Sequence, residues 1–191
     1  MLEKYHRQST RLKGFDYTSN GAYHVTVCAW RRKHWFGEIR DGVMVLNDVG
    51  TMILEEWNQT RELRPNVVLD VFVIMPNHFH GIVVLMNSNA QDVGARRASP
   101  LQGNDVNNIA LHNKSQSILP HGAAKGSLGS IVGSIKSAVS KRVNQSRGVQ
   151  GLTIWQRGFH DRIIRDEAEL ERTRTYIENN PANWATDEEN R

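Results

Sequence analysis

Residues 67–86 read VVLDVFVIMPNHFHGIVVLM, two apolar runs separated at Pro76 and Asn77. Nearly continuous apolar runs of this length, rich in valine and isoleucine, are typical of strands buried on both faces of a sheet. Proline and asparagine are turn-forming residues, so the break between the runs predicts a tight connection. We therefore expect the two runs to form a central antiparallel hairpin.

The chain before this hairpin predicts a strand, a second hairpin and a helix. Residues 21–30 alternate and are rich in β-branched and aromatic side chains, which favours a strand. Within residues 36–46 an Asp-Gly pair stands between short apolar runs, a pattern typical of a β-hairpin. Asn47 can cap a helix that runs to about Leu63 with its apolar residues on one stripe.

The chain after the central hairpin predicts an insert, two helices and a further strand. Residues 87–126 lose periodicity and are rich in Asn, Ser, Gly, Ala and Gln, which indicates a flexible insert. Helical spacing resumes at Ser127, and residues 152–164 predict a strand and a turn. The last helix occupies residues 166–181, because its first turn is acidic and Pro181 ends it. This order predicts an α+β sandwich with one antiparallel sheet and helices packed on one face.

Length and composition fit a single domain over residues 1–191, with 39% hydrophobic and 23% charged residues. No run approaches the roughly 18 apolar residues of a membrane helix. Residues 1–15 lack the apolar core of a secretory signal, so we expect a cytoplasmic protein without a membrane partner. The single cysteine, Cys28, excludes an intramolecular disulfide and a multi-cysteine zinc site. Its apolar surroundings favour a small buried hydrophobe over a reactive thiol.

The net charge of +4 is unevenly distributed along the chain. Residues 1–13, within a basic N-terminal arm over residues 1–20, carry four cations and one acid. Residues 87–147 carry eight cations and two acids, so the remainder is net acidic. A polyanion would therefore meet a polarised molecule. Charge alone leaves two interpretations open, a nucleic-acid partner and solvated helix faces.

His78 and His80 stand at the start of a predicted strand, where residues i and i+2 project from the same face. The two imidazoles can converge on one metal ion, while Phe79 points to the opposite side of the sheet. Half-buried histidines without a metal are the alternative, although burying two adjacent imidazoles with no ion between them is costly. The spacing alone does not decide between the two.

Tyr176 and Asn180 share one face of the last helix through their i,i+4 spacing. A tyrosine hydroxyl becomes a useful nucleophile when a nearby cation stabilises the phenolate or polarises the electrophile. Asn180 offers a neutral amide oxygen, a suitable third ligand beside two imidazoles. The alternative is that Tyr176 packs on the sheet and Asn180 ends the helix.

Taken together, the motifs MPNHFHG at 75–81, WQRGFHDRIIR at 155–165 and YIENNPANW at 176–184 form a specific combination. With RLKGFDYTSNGAYHVTVCAW at 11–30, they resemble the Y1, insertion-sequence-200-like tyrosine transposases of the HUH endonuclease superfamily. The chain is most similar to the REP-associated tyrosine transposases. The resemblance covers nearly the whole sequence outside residues 87–125.

This resemblance implies a ferredoxin-like HUH core and a transposase-like enzyme that cleaves and rejoins single-stranded DNA, recognised as REP-type palindromic hairpins. Tyr176 would attack the scissile phosphate, forming a 5′-phosphotyrosine link and freeing a 3′-OH. His78, His80 and Asn180 would bind a divalent metal, Mg²⁺ or Mn²⁺, although imidazoles also accept Zn²⁺ or Ni²⁺. The protein would act at the nucleoid, as a monomer or a homodimer.

Basic side chains in several regions are the predicted DNA contacts, since phosphate contacts supply most non-specific affinity for DNA. Residues 30–35 mix aromatic and cationic groups, which suits base stacking and equally suits an exposed turn. Arg157 lies in a family motif and could instead brace the tyrosine helix. The full set of predicted contacts is Arg7, Arg11, Lys13, Arg31, Arg32, Lys136, Lys141, Arg142 and Arg157.

Two other functions compete with this one. A catalytically silent, palindrome-binding protein or repressor would share the DNA partner, but the intact His78, His80, Tyr176 and Asn180 argue against it. A two-histidine metalloenzyme acting on a small molecule would require a closed apolar pocket instead of an open basic groove.

Overall fold

The computed structural model describes residues 14–86, 123–187 and 190. Residues 1–13 and 87–122 lie outside this described part. The basic arm predicted over 1–20 and the flexible insert predicted over 87–126 therefore stay predictions, as does the single-domain assignment of residues 1–191.

Six strands and three α-helices make up the described part of the chain. Two short 3₁₀ turns, Trp30–Arg32 and Trp184–Thr186, complete the regular structure. No helix among the described residues is long and apolar enough to cross a membrane. In chain order the elements are β1 (Gly21–Cys28), β2 (Gly37–Arg40), β3 (Val43–Leu46), α1 (Asp48–Leu63), β4 (Val67–Ile74), β5 (His78–Leu85), α2 (Leu128–Ser146), β6 (His160–Ile164) and α3 (Glu167–Asn179).

The main sheet is antiparallel with strand order β4-β5-β1-β6, and β2 and β3 form a separate hairpin. Without that hairpin, β1, α1, β4, β5, α2 and β6 follow the βαββαβ order of a ferredoxin-like sandwich. The predicted pairing of the two apolar runs is present as β4 and β5. Of these two strands only β5 is central, however, since β4 lies at the sheet edge. Its dense apolar sequence reflects cover by α1 and α3 rather than a central position.

The two faces of the sheet carry different apolar clusters. On one face α1 and α2 bury Phe79, Val83 and the odd-numbered residues of β1. On the other face Leu170 and Ile177 of α3 pack with Ile82, Val84 and Ile164. The α+β class is confirmed, but the prediction of helices on one face holds only for α1 and α2. β5 is buried at every position, and α3 covers its second face.

Residues 152–164, for which the sequence predicts a strand and a turn, form a strand only at their end. Only His160–Ile164 forms a strand, while Trp155 makes an isolated bridge to Ala29. Ile154 and Trp155 are buried in the main core, so the apolar pattern of this segment reflects packing without a continuous ladder.

At Gly81 of β5 the side chain of Trp57 from α1 packs directly against the strand. The Trp57 ring stacks on Phe72, with centroids 4.3 Å apart, and its edge reaches the backbone at Gly81. A Cβ at this position would lie 2.8 Å from Cζ2 of Trp57 and 3.1 Å from Cδ2 of Phe72. Glycine is therefore required here by close packing.

We expect Gly81→Ala to destabilise the protein by about 1–3 kcal/mol, because Trp57 must move out of its stacked position. Gly133→Ala is the matched control, since a Cβ there meets nothing within 4 Å and α2 gains helix propensity. This control should stabilise the protein by about 0.5–1 kcal/mol. Urea unfolding of both variants measures the difference, and equal midpoints would contradict the packing argument.

Candidate active site

Strand β5 places His78 and His80 on the sheet face that α3 covers, with Phe79 on the opposite face. Both imidazoles are buried, and their Nε2 atoms lie 3.0 Å apart. Two ring nitrogens that approach each other so closely point into the same small volume. The structure therefore brings the two predicted metal ligands together.

Hydrogen bonds on the far side of each ring orient it, and the one at His78 also sets its tautomer. His78 Nδ1 lies 2.8 Å from Asn77 Oδ1, and the Asn77 amide nitrogen donates to the carbonyl of Arg32. Asn77 Oδ1 can only accept, so His78 Nδ1 carries the proton and donates. The lone pair of His78 is thereby left on Nε2.

Two side chains of β1 contact His80 on the far side of its ring and fix its orientation. Thr26, the cross-strand partner of His80, places Oγ1 2.9 Å from its Nδ1, and His24 Nε2 lies 3.2 Å from the same atom. With Nδ1 occupied on this side, Nε2 of His80 is the ring nitrogen that faces His78 and the groove. Such partners orient metal-binding histidines and fix their tautomer.

Burial keeps these histidines neutral. Desolvation lowers the pKa of His78 to about 4, although the nearby Asp187 carboxylate partly opposes the shift. The pKa of His24 also falls to about 4 for the same reason. The pKa of His80 lies well below its usual value because of burial and the two neighbouring histidines. Neutral imidazole is the form that binds metal, so the pair is ready to do so at neutral pH.

Asp187 adds a carboxylate that the sequence analysis did not identify. The ligand atoms of His78, His80 and Asp187 lie within 4.8 Å of one another. Asn180 donates from Nδ2 to Asp187 Oδ2 at 2.9 Å. Its own Oδ1 is buried and has no hydrogen-bond partner among the described residues. Two neutral imidazoles, a carboxylate and an orphaned amide oxygen fit a divalent cation.

Tyr176 approaches this cluster from α3. Its hydroxyl oxygen lies 3.4 Å from Nε2 of His80, and the two ring centroids are 5.3 Å apart. Tyr176 is 48% exposed. An open groove of about 890 Å³ runs past the hydroxyl, lined by residues that include His24, His80, Tyr176, Asn180 and Asp187.

The position of α3 depends on its other side chains. Asp166 caps the helix by accepting from the backbone N–H of Glu169 at 2.7 Å, while Leu170 and Ile177 fill the second apolar cluster. Arg174 donates from Nε and Nη2 to the carboxylate of Asp70, with the shortest contact 2.6 Å. Asp70 lies at a register shift of β4, so the edge strand fixes α3 against the sheet. These contacts leave Tyr176 facing the groove.

The predicted DNA contacts occupy different environments. Lys136 donates to the carbonyls of Gln156 and Gly158 at 2.8 and 2.6 Å, and burial lowers its pKa to about 8. Arg142 forms ion pairs with Glu55 and Glu56 of α1, on the sheet face opposite Tyr176. Both cations therefore make contacts inside the chain, and their contact with DNA stays a prediction.

Other predicted contacts are accessible. Lys141 and Arg157 are exposed, and the Arg31 guanidinium lies 5.7 Å from the centroid of Trp30 in the turn after β1. Arg32 is partly buried in the same turn. Their contact with DNA stays a prediction. Arg7, Arg11 and Lys13 lie outside the described residues.

We expect Thr26→Val to lower the affinity for Mn²⁺ about tenfold, because His80 loses the oxygen that holds its Nδ1. Thr51→Val makes the same chemical change on exposed α1 and should leave the affinity unchanged. Titration with Mn²⁺, followed by electron paramagnetic resonance of the free ion, measures both. An unchanged affinity in Thr26→Val would show that Thr26 does not orient His80.

Known proteins provide two points of comparison, and no family model matches the chain. An uncharacterized protein of Haemophilus influenzae is 33% identical over 184 residues, covering 96% of this chain and 93% of its own. The structure of a REP-associated tyrosine transposase bound to a REP hairpin superposes with a TM-score of 0.55 at 17% identity. That likeness covers 91% of this chain and 74% of the other, and it confirms the expected fold.

Proposed function

The chain belongs to one family with the Haemophilus influenzae protein and has the fold of a REP-associated tyrosine transposase, and we propose that it is itself a transposase-like enzyme. The enzyme cleaves single-stranded DNA and rejoins it by a metal-dependent reaction. The observation that carries this proposal is the approach of the Tyr176 hydroxyl to the paired His78 and His80 nitrogens beside an open groove.

Tyr176 is the nucleophile of the proposed reaction. Its oxygen attacks the scissile phosphorus and the bond to the 3′ oxygen breaks, leaving a 5′-phosphotyrosine link and a free 3′-OH. The phenol proton is lost to solvent, and the departing oxygen gains one. Because the link replaces one phosphodiester by another, attack by a 3′-OH reverses the step and rejoins strands without ATP.

His78, His80 and Asp187 would hold Mg²⁺ or Mn²⁺, with the orphaned Oδ1 of Asn180 as a further donor. When bound, the cation supplies Lewis-acid polarisation of the phosphoryl oxygen. Asn180 also orients Asp187 through their hydrogen bond, so the amide has two roles in the proposed site.

The proposed substrate is a REP-type hairpin with a single-stranded flank, the class of DNA bound by the structural neighbour. An open groove supports an extended polymer better than a small molecule. Tyr176 reaches His80 of its own chain, which supports cleavage in cis by a monomer, although a homodimer is compatible with the same site. The enzyme would act in the cytoplasm, at the nucleoid.

Incubation with a 3′-labelled REP-type hairpin oligonucleotide and Mn²⁺ tests the proposal. We expect a labelled species on a denaturing gel that migrates as protein plus DNA and disappears after proteolysis. The same oligonucleotide labelled at its 5′ end should yield a free fragment with a 3′-OH. Tight hairpin binding without an adduct would instead support the silent palindrome-binding protein.

A further inference from the structure

We infer that Arg172 is a further catalytic residue, whose guanidinium binds the phosphate that Tyr176 attacks. This inference rests on the proposed function. Arg172 lies on α3 one turn before Tyr176, and both side chains line the same groove. Residues four apart on a helix have Cβ atoms about 5–6 Å apart, so a guanidinium on this turn can reach a phosphate at the tyrosine oxygen.

The neighbouring arginines differ from Arg172 in their contacts. Arg162 also lines the groove, but it pairs with Glu169 at 2.7 Å. Arg174 is bound to Asp70, away from the groove. Arg172 is exposed, and its side chain makes no ion pair or hydrogen bond with another residue in the described part of the chain. Its positive charge is therefore available to a ligand in the groove.

The order of side chains along α3 explains what this charge would do. Tyr176 lies between Arg172, one turn towards the N-terminus, and Asn180, one turn towards the C-terminus. A phosphate at the Tyr176 hydroxyl would lie between the proposed metal ligands on one side and the Arg172 guanidinium on the other. Charge on the phosphoryl oxygens is redistributed as Tyr176 attacks, and a fixed donor pair lowers the barrier to that change. Arginine suits this task because it donates two parallel hydrogen bonds to a phosphate.

The test compares single-turnover cleavage of a 3′-labelled REP-type hairpin in Mn²⁺ by the wild type, Arg172→Gln, Arg172→Lys and Arg165→Gln. Arg165 is exposed in the short segment between β6 and α3 and does not line the groove, so it is the matched control. We expect Arg172→Gln to slow cleavage about 100-fold. Arg172→Lys should recover part of the rate, and Arg165→Gln should match the wild type. Hairpin affinity, measured by filter binding, should change less than about threefold, since one phosphate contact among many is lost.

The outcomes separate this inference from the proposed function. If the wild type forms no adduct, the proposed function fails and the inference fails with it. If the wild type forms the adduct and Arg172→Gln cleaves as fast as Arg165→Gln, only the role of Arg172 is overturned. A defect of Arg172→Gln confined to hairpin affinity also overturns the catalytic role. Because Arg172 is exposed, all variants should melt at the wild-type temperature.

Discussion

Tyr176→Phe should abolish the covalent protein–DNA adduct and reduce cleavage at least about 10⁴-fold, because the substitution removes the only atom that is proposed to attack phosphorus. The fold should not change. Tyr176 is half-exposed, and phenylalanine keeps the ring that contacts His80. Hairpin affinity should also persist, because it depends mainly on contacts between cationic side chains and phosphates, and the substitution removes no cation. Adduct formation on a denaturing gel and hairpin binding on a native gel measure the two properties separately.

Tyr23→Phe is the matched control for this experiment. Tyr23 is fully buried on the other face of the sheet, and its hydroxyl donates to the carbonyl of Ser19 at 2.9 Å. Removing that oxygen should cost about 1 kcal/mol of stability and leave cleavage intact. The two variants lose the same atom but should show opposite defects. An adduct that persists in Tyr176→Phe would mean that another residue is the nucleophile.

Local spacing was sufficient to predict the main parts of this fold and site. Alternation along β5 places His78 and His80 on one face, because successive strand residues point to opposite sides. The i,i+4 spacing of α3 likewise places Tyr176 and Asn180 along the same groove. The order of strands and helices predicted the α+β class, because each element has its own apolar period.

The residues that local spacing could not identify reach the site through long-range structure. Thr26 and His24 contact His80 because β1 pairs with β5 in one particular register. Asp187 reaches the histidines because the chain turns after Pro181 and brings the 3₁₀ turn Trp184–Thr186 towards His78. Neither the register of strands distant in sequence nor the course of an irregular segment follows from the period of side chains.

The sequence alone could not tell which cations are available to a ligand, for a related reason. Lys136 and Arg142 were predicted to bind DNA because they are cations on an amphipathic helix. Packing of α2 instead gives Lys136 two backbone carbonyls and gives Arg142 two carboxylates of α1. Arg172, which the sequence analysis did not select, lies in the groove without such a partner among the described residues. The availability of a charge depends on its neighbours in space, which sequence counts cannot reveal.

The second large effect is the loss of cleavage when the divalent cation or one of its proposed ligands is removed. Removal of divalent cations with EDTA should abolish cleavage by the wild type, and Mn²⁺ should restore it, because the proposed polarisation of the phosphate requires a bound cation.

His80→Ala should lose cleavage under all conditions, since it removes the imidazole nearest both His78 and Tyr176. The charge-removing variant Asp187→Asn should weaken Mn²⁺ binding while its side-chain oxygen can still accept from Asn180.

Metal binding can be measured without DNA, so the proposed metal site can be tested independently of DNA cleavage. A cation that binds only the folded chain stabilises it by about 2.7 kcal/mol at a concentration 100-fold above its Kd. For a domain of this size, that corresponds to a rise of about 5–10 °C in Tm. We expect this rise in the wild type, a smaller rise in Asp187→Asn and none in His80→Ala. His160→Gln, an exposed histidine of β6, should behave as the wild type. If His80→Ala gained as much stability from Mn²⁺ as the wild type, the cation would bind elsewhere, and the paired imidazoles would need another explanation.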